Sequence, residues 1–312
     1  MLTEKYGKAV KGLGGLYNIR IEENGEAQYL SCKAKGSLHR DEEKLLIGDR
    51  VRVTIDDSTP DGVVISEILP RKNSLIRPPM ANLDYIFAVF AAAKPSPVTE
   101  TIDKLIAIAE YNGIVPVAII TKADLDEAKA QELKNIYSGA GFDAFITSTK
   151  TGEGIEEIKA YIEEKIKDGV TAAFAGASGV GKSTLINKLF PSLSLATAEI
   201  SRKIERGRHT TRHVELFALS EGEGAGFLAD TPGFSLLDFS RFDFFPLEAL
   251  ISTFREISGY AGKCRYADCS HVGEGVDDCA VIRAVADGLV SESRHNSYKE
   301  IYKILKAKKS YD

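Results

Sequence analysis

The sequence predicts a multidomain protein with a small N-terminal β-barrel, a central α/β domain and a mostly helical, metal-binding C-terminal domain. Three observations predict this: β-rich segments come before residue 70, strands and helices alternate after it, and cysteines cluster near residue 270. A chain of 312 residues is long enough for two or three domains. We place the domain boundaries at 1–71, 72–237 and 238–312.

Composition excludes several classes of protein. Apolar residues make up 44% and charged residues 27%, with no long biased tract, which excludes a disordered, collagenous or coiled-coil chain. The net charge of −5 indicates neither a nucleic-acid nor a membrane partner, so any such binding must come from local patches. The longest apolar stretch, residues 86–93, is far shorter than the ~20 residues of a membrane helix. The first residues also lack the apolar core of a signal peptide, and we expect a cytoplasmic protein.

The N-terminal segment has the pattern of short strands. Four runs alternate or are β-branched, and Asn-Gly, Asp-Gly and a charged loop at 35–44 separate them. These runs are 17–21, 28–34, 49–55 and 62–68. About seventy residues of this pattern are enough for the five strands of an OB-type barrel, whose exposed face often binds nucleic acid. A plain structural β domain is the alternative.

The period of the sequence changes after residue 72. An apolar run at 83–92 is followed by alternating helices and strands, which indicates a mostly parallel sheet with helices on both faces. The predicted elements are a helix in 98–113, a strand at 115–121, a helix at 125–138, a strand at 143–148, a helix at 154–168, and strands at 171–176 and 226–230. Short helices and loops then lead to a last helix that ends near residue 309.

One segment of the α/β domain has the spacing of a phosphate-binding loop. The run GASGVGKS at 176–183 matches G-x-x-x-x-G-K-[ST], and it stands between a predicted strand and a predicted helix. Backbone N–H groups of such a loop wrap the phosphates of a nucleotide, Lys182 reaches the outer phosphates and Ser183 binds Mg²⁺. The alternative is a Gly-rich turn. The candidate binding residues are Gly176, Ala177, Ser178, Gly179, Val180, Gly181, Lys182, Ser183 and Thr184.

Two further segments have the character of switch elements. The run DTPG closes the strand at 226–230, where Asp230 can hold Mg²⁺ and the Gly233 N–H can meet a terminal phosphate. The basic stretch 200–216 precedes it, and we prefer Thr211 over Thr210 as its Mg²⁺ ligand. The alternative for this stretch is a basic surface loop.

Two strand ends are typical of a site for the guanine base. In TKAD, which comprises Thr121, Lys122, Ala123 and Asp124, the aspartate can accept the N–H groups of guanine while the lysine stem covers the ring. The run STK, which comprises Ser148, Thr149 and Lys150, ends the next strand and can close over the base, although an ordinary loop explains it equally well. Together with the P-loop, these segments predict a GTP site at the C-terminal edge of the sheet.

The order of these motifs is unusual. In most GTPases the base motif follows the P-loop and DxxG, but TKAD and STK precede the P-loop in this chain. The sheet is therefore predicted to be circularly permuted, with the strand ending at DTPG leading directly into the C-terminal domain.

The residue that orients the attacking water is also unusual. Many GTPases have Gln after DxxG, whereas Phe234 occupies that position here. We expect slow intrinsic hydrolysis, with His209 or a partner completing the site; a solvated histidine without a catalytic role is the alternative.

The C-terminal domain carries two features. Cys264, Cys269, His271 and Cys279 predict a closed structural zinc site, and chance clustering is the alternative. The last twenty residues hold six basic side chains, which form either a solvated face or an RNA contact. These six are Arg294, Lys299, Lys303, Lys306, Lys308 and Lys309.

The set of motifs resembles one known family over nearly the whole chain. CKAKGSLH, LLIGDRV, RKNSLIRPPMANLDYIFAVFA, the permuted TKAD, GASGVGKS, GRHTTR and DTPG, and the Cys-Cys-His-Cys cluster are similar to those of the RsgA (YjeQ or YloQ) family. These are bacterial GTPases of small ribosomal subunit biogenesis. The resemblance implies an OB-fold, a permuted GTPase domain and a zinc domain.

The resemblance also implies an activity and partners. It implies hydrolysis of GTP to GDP and phosphate that is stimulated by the 30S subunit, binding near the decoding region of 16S rRNA and release of late assembly factors. It assigns the role of the missing Gln to His209. Two positions depart from the expected patterns: Thr121 stands where GTPases usually have Asn, and the gap between His271 and the zinc ligand Cys279 is long. We expect a monomer.

Two other functions compete with this interpretation. A nucleotide-gated RNA-binding scaffold with negligible turnover is the main alternative, because the usual Gln is missing. A different P-loop enzyme such as a kinase is disfavoured by TKAD.

Overall fold

The computed structural model describes residues 2–34, 44–56, 58, 62–191, 214–230 and 238–309, with backbone alone at residues 230 and 309. The chain divides into two compact units. The first comprises 1–85, 159–174 and 190–233, and the second 86–158, 175–189 and 234–312. No described helix is long and apolar enough to cross a membrane.

The elements follow one another in this order. The strands are β1 (Leu2–Leu13), β2 (Leu16–Glu23), β3 (Glu26–Ala34), β4 (Arg50–Asp56), β5 (Val63–Ile68), β6 (Ser74–Leu75), β7 (Met80–Ala81), β8 (Tyr85–Ala91), β9 (Val115–Thr121), β10 (Asp143–Ile146), β11 (Thr171–Ala175), β12 (Glu215–Ala218) and β13 (Phe227–Asp230). The α-helices are α1 (Thr99–Tyr111), α2 (Glu127–Gly139), α3 (Ile155–Lys165), α4 (Lys182–Leu189), α5 (Arg255–Ser258), α6 (Ala280–Ala286) and α7 (Glu292–Lys309).

The first five strands close into the predicted barrel. Antiparallel pairing joins β1 to β2, β2 to β3, β4 to β5 and β1 to β4, while β3 and β5 pair in parallel. This ring has the five-stranded OB arrangement. Its inward-facing side chains form one apolar core, which comprises Ala9, Ile19, Ile21, Cys32, Leu45, Val51, Val53 and Ile65. Burial raises the pKa of the Cys32 thiol to about 11, so this cysteine acts as a small core residue.

Three further strands of the first unit continue the sheet from the barrel, while β6 and β7 form a separate antiparallel pair. β11 pairs in parallel with β13, β13 pairs antiparallel with β12, and β12 meets β1 where Lys11 lies opposite Glu215. The Lys8 ammonium donates to the Gly169 carbonyl at 2.5 Å and contacts the Thr171 hydroxyl at 3.0 Å. Burial lowers the pKa of Lys8 to about 8, although nearby Asp84 acts in the opposite direction. A partly buried cation of β1 therefore contacts the chain where β11 begins.

The second unit contains three strands in the order β10, β9, β8, with β9 and β10 parallel. The predicted strand at 115–121 is confirmed at both ends, because VPVAIIT is apolar and buried after its first residue. The helix predicted in 98–113 is α1, whose buried side is apolar except for Asp103. Other boundaries moved inwards: the strand predicted to reach 148 ends at Ile146, and the helix predicted to reach 168 ends at Lys165.

The C-terminal part of this unit is helical, as predicted. A 3-10 helix at Leu247–Thr253 and α5 precede a loop-rich segment, α6 and the long helix α7. The interpretation of α7 as a helix with six basic side chains at its surface was wrong for Arg294, which is 1% exposed. Its guanidinium contacts Asp103 of α1 at 2.7 Å and Glu256 of α5 at 2.7 Å. Arg294 therefore anchors α7 to the rest of the unit.

Candidate functional site

The P-loop lies between β11 and α4, as the sequence predicts. Its glycines are required by geometry at two kinds of position. Gly179 and Gly181 have φ angles of +79° and +94°, a backbone conformation that residues other than glycine rarely adopt. A Cβ on Gly176 would lie 2.2 Å from the Val89 carbonyl oxygen, closer than any real contact. α4 begins at Lys182, directly after the loop, and the N-terminus of a helix is a favourable place for an anion.

The TKAD segment contacts the P-loop directly. The buried Thr121 hydroxyl lies 2.5 Å from the Val180 carbonyl oxygen and 3.2 Å from that of Phe90, and it can donate to one of them at a time. The Lys122 ammonium donates to the Gly179 carbonyl at 2.7 Å and also to the Lys94 carbonyl. Two consecutive residues at the end of β9 therefore fix two carbonyls of the P-loop.

Thr121 stands where GTPases usually have Asn, so the sequence predicts the loss of an amide contact at this position. Its hydroxyl provides a contact to the P-loop backbone that the sequence reasoning did not anticipate. Lys122 has a φ of +57°, which turns the chain sharply into the 3-10 turn Ala123–Leu125. This turn brings Asp124 beside the STK segment.

The STK segment holds the carboxylate of Asp124. The Ser148 hydroxyl donates to Asp124 Oδ1 at 2.6 Å, and the Lys150 ammonium lies 3.8 Å from Oδ2. Ser148 is fully buried, and its backbone N–H donates to the Glu153 carbonyl. The hydroxyl therefore has a fixed position, and it orients the Asp124 carboxylate. Thr149 lies half-buried between Ser148 and Lys150.

Several predicted site residues lie outside the described part of the chain. These are His209, Thr210, Thr211, Gly233 and Phe234, and at Asp230 only the backbone at the end of β13 is described. Ser183 and Thr184 occupy the first turn of α4 and are exposed. The described residues thus bring together TKAD, STK and the P-loop.

The second predicted site is the cluster of Cys264, Cys269, His271 and Cys279. The ligand atoms of these four residues lie within 4.8 Å of one another. His271 Nδ1 is 3.5, 3.3 and 3.5 Å from the sulfurs of Cys264, Cys269 and Cys279, and the sulfurs of Cys264 and Cys279 are 3.9 Å apart. Tetrahedral zinc requires about 3.6 Å between nitrogen and sulfur and about 3.8 Å between sulfurs. The cluster can therefore hold a metal ion of that size, and Cys279 belongs to it.

The surroundings of the cluster fix its histidine. His271 has a φ of +61°, and its backbone carbonyl accepts a 2.7 Å hydrogen bond from His295 Nε2 of α7. The Glu274 carboxylate accepts hydrogen bonds from the backbone N–H groups of Ser270, Val272 and Gly273, which closes the loop around His271. Burial lowers the pKa of His271 and raises the pKa of Cys269 to about 12. A bound cation would reverse the effect on the thiols, since it stabilises thiolates.

The TKAD segment contacts the P-loop and precedes it in the chain, and these two features define the class of this protein. It is a circularly permuted P-loop GTPase with an N-terminal five-stranded barrel and a C-terminal Cys₃His cluster.

Comparisons with known proteins identify the family. The RsgA GTPase family matches residues 68–240, the RsgA N-terminal domain matches 6–64, and the 50S ribosome-binding GTPase family matches 171–310. The chain is 40% identical to a small ribosomal subunit biogenesis GTPase RsgA of Agathobacter rectalis, over 98% of this chain and 99% of the relative. The corresponding protein of Caldanaerobacter subterraneus is 41% identical, over 97% and 96%.

Solved structures agree with the sequence matches. YjeQ from Thermotoga maritima superposes with a TM-score of 0.78 at 34% identity, covering 97% of this chain and 99% of that one. YloQ, described as a circularly permuted GTPase, gives a TM-score of 0.77 at 30% identity, covering 98% and 96%. The chain therefore belongs to the RsgA GTPase family.

Proposed function

We propose that this protein binds GTP, hydrolyses it to GDP and phosphate, and acts in late assembly of the 30S ribosomal subunit. The observation that carries the proposal is the contact of Thr121 and Lys122 with the P-loop carbonyls. The contact supports the proposal because it joins the segment that we assign to guanine selection to the loop that we assign to phosphate binding. The names of the relatives, small ribosomal subunit biogenesis GTPases, support the assignment of the subunit.

Guanine selection is assigned to Asp124. Its carboxylate accepts the ring and exocyclic N–H groups of the base, while Ser148 at 2.6 Å keeps it oriented. The Lys122 stem covers the base plane, with its ammonium fixed on Gly179. Asp124→Asn is expected to move the preference from GTP to XTP. Full GTP preference in a competition assay with that variant would contradict the assignment.

Phosphate binding and hydrolysis are assigned to the P-loop and the switch residues. The loop from Gly176 to Thr184 holds the phosphates, Lys182 reaches the outer ones, and Gly233 meets the terminal one. Mg²⁺ would be held by Ser183, Thr211 and Asp230, where it neutralises phosphate charge. His209 orients the attacking water.

Two variants separate these roles. Lys182→Ala should abolish hydrolysis by weakening phosphate binding. His209→Ala should lower stimulated turnover and leave nucleotide affinity unchanged, and an unaltered stimulated rate would exclude a catalytic role for His209.

The Cys₃His cluster is proposed to hold one structural zinc ion. The sulfur and nitrogen spacings fit tetrahedral coordination, and three thiolates with one imidazole leave no open position for catalysis. Zinc stabilises a loop-rich segment with little apolar core of its own. The domain boundaries at 1–71, 72–237 and 238–312, binding of 16S rRNA, a monomeric state and a cytoplasmic location complete the proposal.

The decisive experiment measures GTP hydrolysis by the full-length protein alone and with small subunits, large subunits or free rRNA. A large increase with small subunits alone is expected, because the site lacks the usual Gln and needs a partner to complete it. Equal slow rates in every condition would overturn the hydrolase assignment and favour a nucleotide-gated RNA-binding scaffold.

A further inference from the structure

The first unit contains a groove that none of the predicted nucleotide or metal residues line. It has a volume of about 830 Å³ and lies between the barrel strands β1–β3 and the segment 215–222. Two contacts span it: Lys11 of β1 pairs with Glu215 of β12, and Glu26 of β3 pairs with Gly222. Its lining is apolar at Leu216 and Phe217 and polar around the rim.

The edge of β12 that faces this groove pairs with β1 at Glu215 and is open at its other end, at Ala218. The Leu219 N–H donates to the Gly226 carbonyl within the β12–β13 hairpin, and the Phe227 N–H points away from β12 to the Val170 carbonyl. Because successive residues of a strand direct their backbone groups to opposite edges, the N–H and C=O of Ala218 point towards the groove. In the described part of the chain, β1 pairs with β12 at Glu215 alone. Ala218 therefore presents a strand edge with no partner strand.

The charge of the groove is negative. Three carboxylates line it, those of Glu26, Glu215 and Glu221, against the single ammonium of Lys11. Lys11 is engaged by both oxygens of Glu215, at 2.8 and 2.9 Å. Within the described ranges, Glu26 and Glu221 have no cationic partner, and both are exposed. Tyr29, 59% exposed at the same rim, presents an aromatic face on which a guanidinium can stack.

We propose that this groove binds an extended, Lys- and Arg-rich peptide segment of a partner protein, which adds as a strand to the free edge of β12. The backbone of the peptide pairs with Ala218, and alternate side chains reach Glu26 and Glu221. The two free carboxylates disfavour a nucleic-acid strand, whose phosphates they would repel. This inference concerns a surface separate from the nucleotide residues and does not depend on the proposed GTP hydrolysis.

The test uses the full-length protein and a fluorescent nine-residue peptide in which Arg or Lys alternates with Val. Binding is followed by fluorescence anisotropy at low and physiological salt. Two peptides serve as controls: one has the same sequence N-methylated at alternate residues, which blocks strand pairing while keeping the charge, and one has Glu in place of the basic residues. We expect the N-methylated peptide to bind at least tenfold more weakly and the acidic peptide not to bind.

Protein variants locate the binding. Glu26→Lys with Glu221→Lys should weaken binding at least tenfold, whereas Glu157→Lys with Glu163→Lys on the exposed side of α3 makes the same charge change and should alter it less than twofold. Ala218→Pro removes the edge N–H and leaves the hairpin bonds in place, so it should weaken binding about fivefold. Far-UV circular dichroism and the melting temperature establish that each variant is folded.

Three results would overturn the proposal. Equal binding of the methylated and unmethylated peptides would show charge attraction without strand addition. Equal affinities of the two charge-reversed double variants would place the peptide elsewhere. Tighter binding of a single-stranded RNA oligonucleotide, weakened by the Glu26 and Glu221 reversals, would make the groove a nucleic-acid site.

Discussion

Replacing Arg294 by Met should release helix α7 from the rest of the second unit. Arg294 and Asp103 are 1% and 0% exposed, and their side chains meet at 2.7 Å. Glu256 accepts two further hydrogen bonds from the same guanidinium, at 2.7 and 3.3 Å. Met fills a similar volume but leaves two largely buried carboxylates without their cation.

The size of the effect follows from this burial. Removing one partner of a buried ion pair is destabilising by about 3–5 kcal/mol, because the remaining charge stays desolvated. The Tyr137 hydroxyl, 3.1 Å from Asp103, remains as a hydrogen-bond donor but carries no charge. A loss of about 3 kcal/mol corresponds to an opening equilibrium more than about 100-fold larger.

Amide hydrogen exchange of the folded protein measures this opening for α1 and α7 separately from the barrel. In Arg294→Met we expect exchange in α7 to accelerate by about two orders of magnitude. Lys303→Met is the matched control on the same helix, since Lys303 is 62% exposed and pairs with Glu300 at the surface. Its effect should stay below about 1 kcal/mol.

A double-mutant cycle identifies the cause of the effect. If the orphaned carboxylate destabilises the protein, Arg294→Met should be less harmful by at least about 1 kcal/mol when Asp103 is already Asn. An acceleration below about fivefold in α7, or strict additivity of the two substitutions, would refute the reasoning.

Three other predictions follow from single contacts. Thr121→Val removes the hydroxyl that contacts the Val180 carbonyl, a loss of about 1–2 kcal/mol. Calorimetry should show that the affinity for GDP falls about 5- to 30-fold in this variant and is partly recovered in Thr121→Asn. An unchanged affinity would show that the contact does not contribute to binding. Cys279→Ser should lower the zinc content below one equivalent per chain, as measured by atomic emission, and reduce the melting temperature. Cys32→Ser should leave the zinc content unchanged. Equal zinc content in both variants would exclude Cys279 as a ligand. The pKa of Lys8 is lower in the folded protein, about 8, than its ordinary value near 10.5, so the folded state binds fewer protons between these values and stability rises with pH through that window. Urea unfolding should therefore show the stability of the wild type, relative to Lys8→Met, rising by about 2 kcal/mol from pH 7.5 to pH 10. A difference between the two proteins that is independent of pH would contradict a lowered pKa for Lys8.

Local patterns carried most of the fold. The strand at 115–121 and the P-loop were predicted because their signals are short-range: a continuous apolar run, and glycines at fixed spacing before a helix. The metal cluster was predictable for a similar reason, because four ligands lie within sixteen positions of the chain. Such features are determined by residues close together in the sequence, so the sequence alone is enough to predict them.

Features that depend on packing were missed. Arg294 shows the same helical surroundings in sequence as the exposed Lys303, and only the acidic groups of α1 and α5 determine that it is buried. The hydroxyl of Thr121 likewise gains its role from a carbonyl 59 residues away. The open edge of β12 depends on how far β1 extends beyond the barrel, which no periodicity in 215–218 records.

The contact between Thr121 and Val180 also has a consequence for how the protein is made. In a GTPase with the usual order of motifs, the phosphate loop is synthesised before the segment that reads the base. In this chain Thr121 is synthesised 59 residues before Val180, which at about 5–20 residues per second is roughly 3–12 s. β9 and the turn after it are therefore synthesised first. When the phosphate loop follows, the hydroxyl that donates to its Val180 carbonyl is already present.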